Sequence, residues 1–309
     1  MHDIQHLHTA LLASLDTDAF ARTLPIATPA HKHDVRDHTS HSYVCDASRS
    51  RIGVLTCSNR VNPDMIARSV TAARMAKQAL AGPLGQVVLE PLAAGVYDGL
   101  SYAIWPLRRR FSALHVVRYL QERVIVPKVV RWLTEVHQHT MSSPLQPPVL
   151  ESHCRQPLLH VSKDDRLPAE IRAAAARAIE RLESGAWRPV CVLCHGDLWL
   201  GNILLPLARR FPWPDPYGFA VIDWAAASLT GHPFSDLLQF CRSDRLSSHD
   251  RHLCRARDAI CRIVECDRQD TLSYALSALG WLGTHLEHFP EQRYLEMSRD
   301  MFSYASALA

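Results

Sequence analysis

Residues 191–202 read Cys-Val-Leu-Cys-His-Gly-Asp-Leu-Trp-Leu-Gly-Asn, and two chemistries compete for them. The first five, Cys191 to His195, fit C-x-x-C-H, the pattern of covalent haem attachment. The remainder, His195 to Asn202, sets an acid and an amide in one loop, which suits phosphoryl transfer. The flanking chain decides between them. Haem attachment normally follows export, and the stretch Met1 to Phe20 carries His and Asp where a secretory leader needs a basic start and an unbroken apolar run. Val190 to Cys194 is a short apolar, β-prone run, as expected of a buried strand leading into a site. Zinc is disfavoured too, because no second Cys pair or His pair stands at a suitable distance from Cys191 and Cys194.

The bulk composition narrows the class further. With 309 residues, 47% hydrophobic and 21% charged, the chain has a globular composition and enough length for one large domain or two lobes. The net charge of +3 is spread along the sequence, which argues against a nucleic-acid partner, and Arg108-Arg109-Arg110 reads as a solvated turn. No window approaches the roughly 20 apolar residues of a membrane span, so no membrane partner is expected and a cytoplasmic location is. Nine cysteines form no regular framework and read mostly as small buried hydrophobes in a reducing compartment.

Periodicity organises the rest. Ile4, Leu7, Leu11, Leu12, Leu15 and Phe20 predict an amphipathic helix over 4–20, with His2, His6 and His8 as surface histidines. Ser42–Cys45 and Arg51–Cys57 predict a hairpin, residues 63–80 a helix, and Gln86–Leu89 and Leu100–Trp105 two further strands. Ser112–Val126 and Lys128–His139 predict two helices separated by Pro127, and Ala169–Ser184 another. Strands are expected at Val190–Cys194, Ile203–Leu205 and Phe219–Trp224, and helices almost throughout from Ser235 to Ala309. The predicted fold class is α+β and bilobal, with a small α+β lobe over 1–105 and a larger helical lobe over 106–309.

Asp197 lies between two apolar runs, Asn202 follows in the same loop, and Asp223 closes the next strand. A carboxylate near the acceptor hydroxyl, together with oxygen ligands for Mg²⁺, is the minimum that phosphoryl transfer requires. These residues carry a resemblance. His195-Gly-Asp-Leu-Trp-Leu-Gly-Asn202, Val221-Ile-Asp-Trp224 and Gly231-His-Pro-Phe-Ser-Asp-Leu237 together resemble the aminoglycoside phosphotransferase and choline kinase superfamily, of protein-kinase-like fold. The Leu198-Trp199 pair is most similar to the fructosamine-kinase branch.

The resemblance implies that Asp197 is the catalytic base, that Asn202 and Asp223 bind Mg²⁺, and that His195 and Asp236 brace the loop. It implies ATP in the cleft between lobes, with adenine against a hinge at Ile104, Trp105 and Leu107. It also implies a small hydroxyl-bearing acceptor as the partner. The first lobe departs from the family pattern: Thr56 stands near the position of the expected Lys, and the helix over 63–80 contains no Glu. Lys77 is its only Lys, and Arg49, Arg51 and Arg68 are candidate substitutes that spacing does not separate. The alternative reading is a nucleotide-binding or inactive pseudokinase acting through a protein partner.

No acidic face stands out between Phe240 and Ala309, so the expected acceptor is a sugar or sugar-amine in preference to a polycation. Trp199, Trp213 and Trp224 are candidates for stacking on it. The short distance from Asp223 to Gly231 leaves no room for a phosphorylation-controlled activation segment.

Overall fold

The computed structural model describes residues 2–15, 20–25, 39–207, 217–243, 251–284 and 290–309. Trp213, Asp244, Asp250 and Glu287 lie outside them. In chain order the first elements are α1 (His2–Ser14), β1 (Arg22–Pro25), β2 (Ser40–Cys45), β3 (Arg51–Cys57), α2 (Met65–Leu80), α3 (Gly82–Gly85), β4 (Ala93–Tyr97) and β5 (Leu100–Pro106). Then come α4 (His115–Thr140), α5 (Pro147–Leu150), a π turn (Glu151–Arg155), α6 (Gln156–Lys163), α7 (Ala169–Glu183), β6 (Val192–Cys194), β7 (Ile203–Leu204), β8 (Ala220–Val221) and β9 (Ser228–Gly231). Four helices complete the chain: α8 (Ser235–Ser243), α9 (Arg251–Ile263), α10 (Arg268–Gly283) and α11 (Glu291–Leu308).

The chain divides into two compact units. The first comprises Met1–Phe111 with Ile203–Ala226, the second Ser112–Asn202 with Ala227–Ala309. The sequence reading ended the first lobe at 105 and left 203–226 in the second. That excursion joins the first unit through backbone pairing of Arg109 with Leu205 and of Val88 with Val221, and through the antiparallel pair β7–β8.

In the first unit, five antiparallel strands take the order β1-β2-β3-β5-β4. The period of two sends Val44, Leu55, Cys57, Tyr102 and Ile104 to one face, where Leu11 and Leu12 of α1 bury them. Ala103 and the half-buried Trp105 meet Ile66 and Val70 of α2. The predicted hairpin β2–β3 is present, but β1 and β4 are strands that periodicity did not show. For β4 a signal existed: Asp98-Gly99 links it to β5 with positive φ at both residues (50° and 71°), the conformation an Asp-Gly hairpin turn favours.

Two readings in this unit are corrected. Gln86–Leu89 is no strand of the sheet; it follows the short helix α3, and Val87 and Leu89 exchange backbone hydrogen bonds with Val221. His8 is not a surface histidine but is fully buried, with ring nitrogens 2.7 Å from Ser42 Oγ and 2.9 Å from Ser40 Oγ. A polar pair on the neighbouring strand is what admits an imidazole to that core.

The second unit is helical around β6 and β9, which pair antiparallel. The helix pair predicted on either side of Pro127 is one helix, α4. Pro127 withholds an N–H from the Arg123 carbonyl, but Arg123 is exposed, so water can take up that acceptor. The core gathers Trp132, Trp187, Phe234, Phe240 and Tyr274, with Trp187 edge-on to Tyr274 at 5.0 Å. α10 lies close against α6, because Gly280 offers no side chain where the Pro157 backbone passes.

Candidate active site

Strand β6 ends at Cys194, and the chain then turns through His195-Gly196-Asp197. Gly196 adopts φ 83°, a left-handed conformation that costs glycine little and directs its N–H inward. There the buried Asp236, at the start of α8, accepts the N–H of His195 (2.6 Å, Oδ2) and of Gly196 (2.9 Å, Oδ1). The buried His195 ring accepts the Asp197 N–H at its Nδ1 (3.2 Å), which fixes the lone pair on that nitrogen. The loop is therefore held at three consecutive backbone N–H groups.

Asn202 closes it from the other side. Its Nδ2 donates to the Asp197 carbonyl at 2.9 Å and lies 3.4 Å from Asp197 Oδ2. Asp197 is half-buried, and its second carboxylate oxygen, Oδ1, accepts from Gln239 Nε2 at 3.3 Å. Gln239, from the middle of α8, was absent from the sequence reading. Its signal was the three-residue step from Asp236, which places both side chains on neighbouring parts of one helical face. Four residues named from the sequence, His195, Asp197, Asn202 and Asp236, thus meet in one cluster of the second unit.

The donor chemistry suits a hard divalent cation. With the Asn202 NH2 directed at Asp197, the atom of that amide left for a ligand is its oxygen. Asp223 belongs to the first unit, two residues after the end of β8, at φ 65°. Asp tolerates this region better than most residues. The neighbouring Trp224 is buried and donates its Nε1–H to the Val221 carbonyl at 3.0 Å, which fixes the turn and removes Trp224 from any stacking role. Of the three residues expected at a hinge, Ile104 is fully buried in the core under α1, while Trp105 and Leu107 are half-buried. Leu107 donates its N–H to the Ile52 carbonyl at 2.9 Å.

Thr56 is buried, with its hydroxyl 3.2 Å from His41 Nδ1. Lys77 of α2 forms an ion pair with Glu90. Arg51 stacks over Tyr43 at 4.3 Å, while Arg68 is exposed.

The two cysteines of the C-x-x-C-H reading are buried thiols. Burial pushes Cys191 up to about 11 and raises Cys194 well above the usual thiol range. Cys194 Sγ points to the His232 carbonyl at 3.2 Å. Trp199, 37% exposed, lies across Gly201, where a Cβ would collide with its ring. Among acids of the helical region, Asp258 meets Arg257 and Arg268, Asp267 and Asp270 meet Arg181, and Glu291 meets Arg166.

No family model matches the sequence, and no curated protein does. Solved structures match along the whole chain. A choline/ethanolamine kinase family protein from Mesorhizobium loti is 16% identical, with 100% of this chain and 95% of that one covered and a TM-score of 0.50. A protein from Haemophilus somnus described as a fructosamine-3-kinase is 10% identical, with coverage of 98% and 96% and a TM-score of 0.52. At such identities the likeness shows the fold: the chain has the α+β, kinase-like architecture of these structures. No helix among the described residues is long and apolar enough to cross a membrane.

Proposed function

We propose that the protein is a small-molecule kinase of the aminoglycoside phosphotransferase and choline kinase superfamily. It transfers the γ-phosphate of ATP to a hydroxyl of a sugar, amino sugar or similar acceptor. The observation that carries this reading is the loop at His195–Asn202. A half-buried carboxylate is held by two amide side chains, while the loop that carries it is pinned to His195 and Asp236.

In this reading Asp197 accepts the proton of the acceptor hydroxyl as the phosphoryl group arrives, and its fixed position supplies most of its effect. Asn202 and Asp223 are the oxygen ligands for Mg²⁺, which when bound neutralises charge on the transferring phosphates. Trp105 and Leu107 are the hinge residues that adenine contacts, with Ile104 as buried support. Pairing of the helical acids with arginines favours a neutral or mildly charged acceptor over a polycation. Trp199 is the stacking candidate that remains accessible.

One specific observation favours a second reading, a pseudokinase acting through a protein partner: Thr56, near the position expected of the phosphate-binding Lys, is bonded to His41. ATP binding separates the two. Thermal shift with ATP and Mg²⁺ is measured for the wild type and for Asp223→Ala. A ligand at about 100 times its Kd stabilises by about 2.7 kcal/mol. A Mg²⁺-dependent shift that Asp223→Ala loses is expected, followed by phosphate transfer to sugars, amino sugars or ketosamines. Wild-type transfer rates in Asp197→Ala would remove the role given to Asp197, and no shift with ATP or GTP would favour the pseudokinase.

A further inference from the structure

Helix α8 carries polar side chains at Asp236, Gln239 and Arg242, each three residues after the last. Asp236 holds the loop backbone. The other two form a relay toward its carboxylate: Arg242 Nη2 and Nε lie 3.0 and 3.3 Å from Gln239 Oε1, and Gln239 Nε2 lies 3.3 Å from Asp197 Oδ1.

Chemistry fixes the direction of this chain. A guanidinium only donates and an ionised carboxylate only accepts, so the amide between them must turn its oxygen to Arg242 and its NH2 to Asp197. Reversing the amide would set a carbonyl against a carboxylate. The arrangement is unusual for Arg242, which is half-buried and forms no ion pair among the described residues. Two of its donors converge on one neutral carbonyl. Burial depresses its pKa, with Asp300 and Asp197 acting against that. Withdrawing an arginine from water for an amide does little for stability, but it does lock the orientation of that amide.

Resting on the reading of Asp197 as the catalytic base, we infer that Gln239 is a positioning residue for Asp197 and that Arg242 locks the Gln239 amide in the donating orientation. Asn202 and Gln239 then hold opposite oxygens of the carboxylate, at 3.4 and 3.3 Å. Contacts this long lie at the outer edge of hydrogen bonding. They limit rotation of the carboxylate without occupying it, so that an acceptor hydroxyl can still approach.

The test uses the full chain labelled with ¹⁵N. The Gln239 side-chain amide signal is assigned by its loss in Gln239→Leu, and folding of every variant is checked by its backbone spectrum. Arg242→Met, which removes the donors, moves that signal; Arg242→Lys, still a pure donor, keeps it near the wild-type position. With ATP and the acceptor found by screening, Gln239→Leu and Arg242→Met lower kcat about tenfold or more, as misplacement of a reacting group does, while KM for ATP stays constant and Arg242→Lys recovers most of kcat. An unmoved Gln239 signal in Arg242→Met, or wild-type kcat in Gln239→Leu, overturns the relay. Failure of the kinase reading is distinct: it is absence of transfer by the wild type, or full transfer by Asp197→Asn. In that case the amide signal alone decides whether Arg242 locks Gln239.

Discussion

The Asp236 carboxylate accepts the N–H of His195 at 2.6 Å across 41 positions of sequence, and its other oxygen takes the N–H of Gly196. One side chain at the start of α8 therefore closes the turn that presents Asp197. Asp236→Ala leaves two backbone donors without an acceptor, one of them buried, at a cost of about 1–3 kcal/mol per unsatisfied group. The expected outcome is a melting temperature lower by several degrees and a loss of phosphotransfer larger than the stability change explains. Asp236→Asn retains one acceptor oxygen and falls between. Calorimetry beside a rate measurement checks this, and equal rates in Asp236→Ala and wild type would contradict it.

The contrast between Asp236 and Gln239 shows what sequence could yield. Asp236 sits in a patterned stretch after Gly231-His232-Pro233, and its carboxylate accepts the N–H of His195. The three-residue steps set Gln239 and Arg242 on the Asp236 side of α8, but the contact of Gln239 with Asp197 depends on how α8 docks, which periodicity does not encode. The same limit explains His8. An imidazole reads as exposed until the serines opposite it, Ser40 and Ser42, are brought there by pairing of β2. Long periodic elements such as α2 and α7 were legible. Residues 86–89 were misread because a short apolar run does not say which strand it will join.

Gly201 leaves the space that the Trp199 ring fills. A methyl group there meets the indole ring, and because Trp199 is 37% exposed the ring can swing outward instead of straining the loop. Gly201→Ala should therefore cost little stability, at most about 1 kcal/mol, yet change the Trp199 emission. It should also raise KM for an acceptor that stacks on the ring. Comparison with Trp199→Phe separates the two effects: if neither variant changes acceptor KM, Trp199 does not touch the acceptor.

Gly280 presents the opposite case. A Cβ at this position would meet the Pro157 backbone, which cannot rotate away, so α6 and α10 must separate. Overpacking of this kind costs about 1–3 kcal/mol. Gly280→Ala should lower the denaturation midpoint accordingly, against the small gain that alanine brings to an exposed helix. An unchanged midpoint would mean that the two helices are not in the contact described.

Stability should also fall in mild acid, above the range where carboxylates titrate. Burial lowers His8 and His232 from 6.5 to about 4, and lowers His137 as well. Above pH 6.5 each imidazole is neutral whether the chain is folded or not, and nothing depends on pH. Between 6.5 and 4 the unfolded chain takes up protons that the folded chain refuses. Folding stability then declines by about 1.4 kcal/mol per pH unit for each of His8 and His232. Near pH 4 His8 and His232 are protonated in both states and the decline from these two groups ends. For His232, buried against Tyr274 at 6.2 Å between ring centroids, the loss over the whole window is about 3 kcal/mol. Denaturation midpoints of wild type and His232→Phe, followed from about pH 7 to about pH 5, provide the check. The variant keeps a ring and removes the proton site, so its slope should be smaller by nearly one proton, and identical slopes would mean that His232 titrates alike in both states.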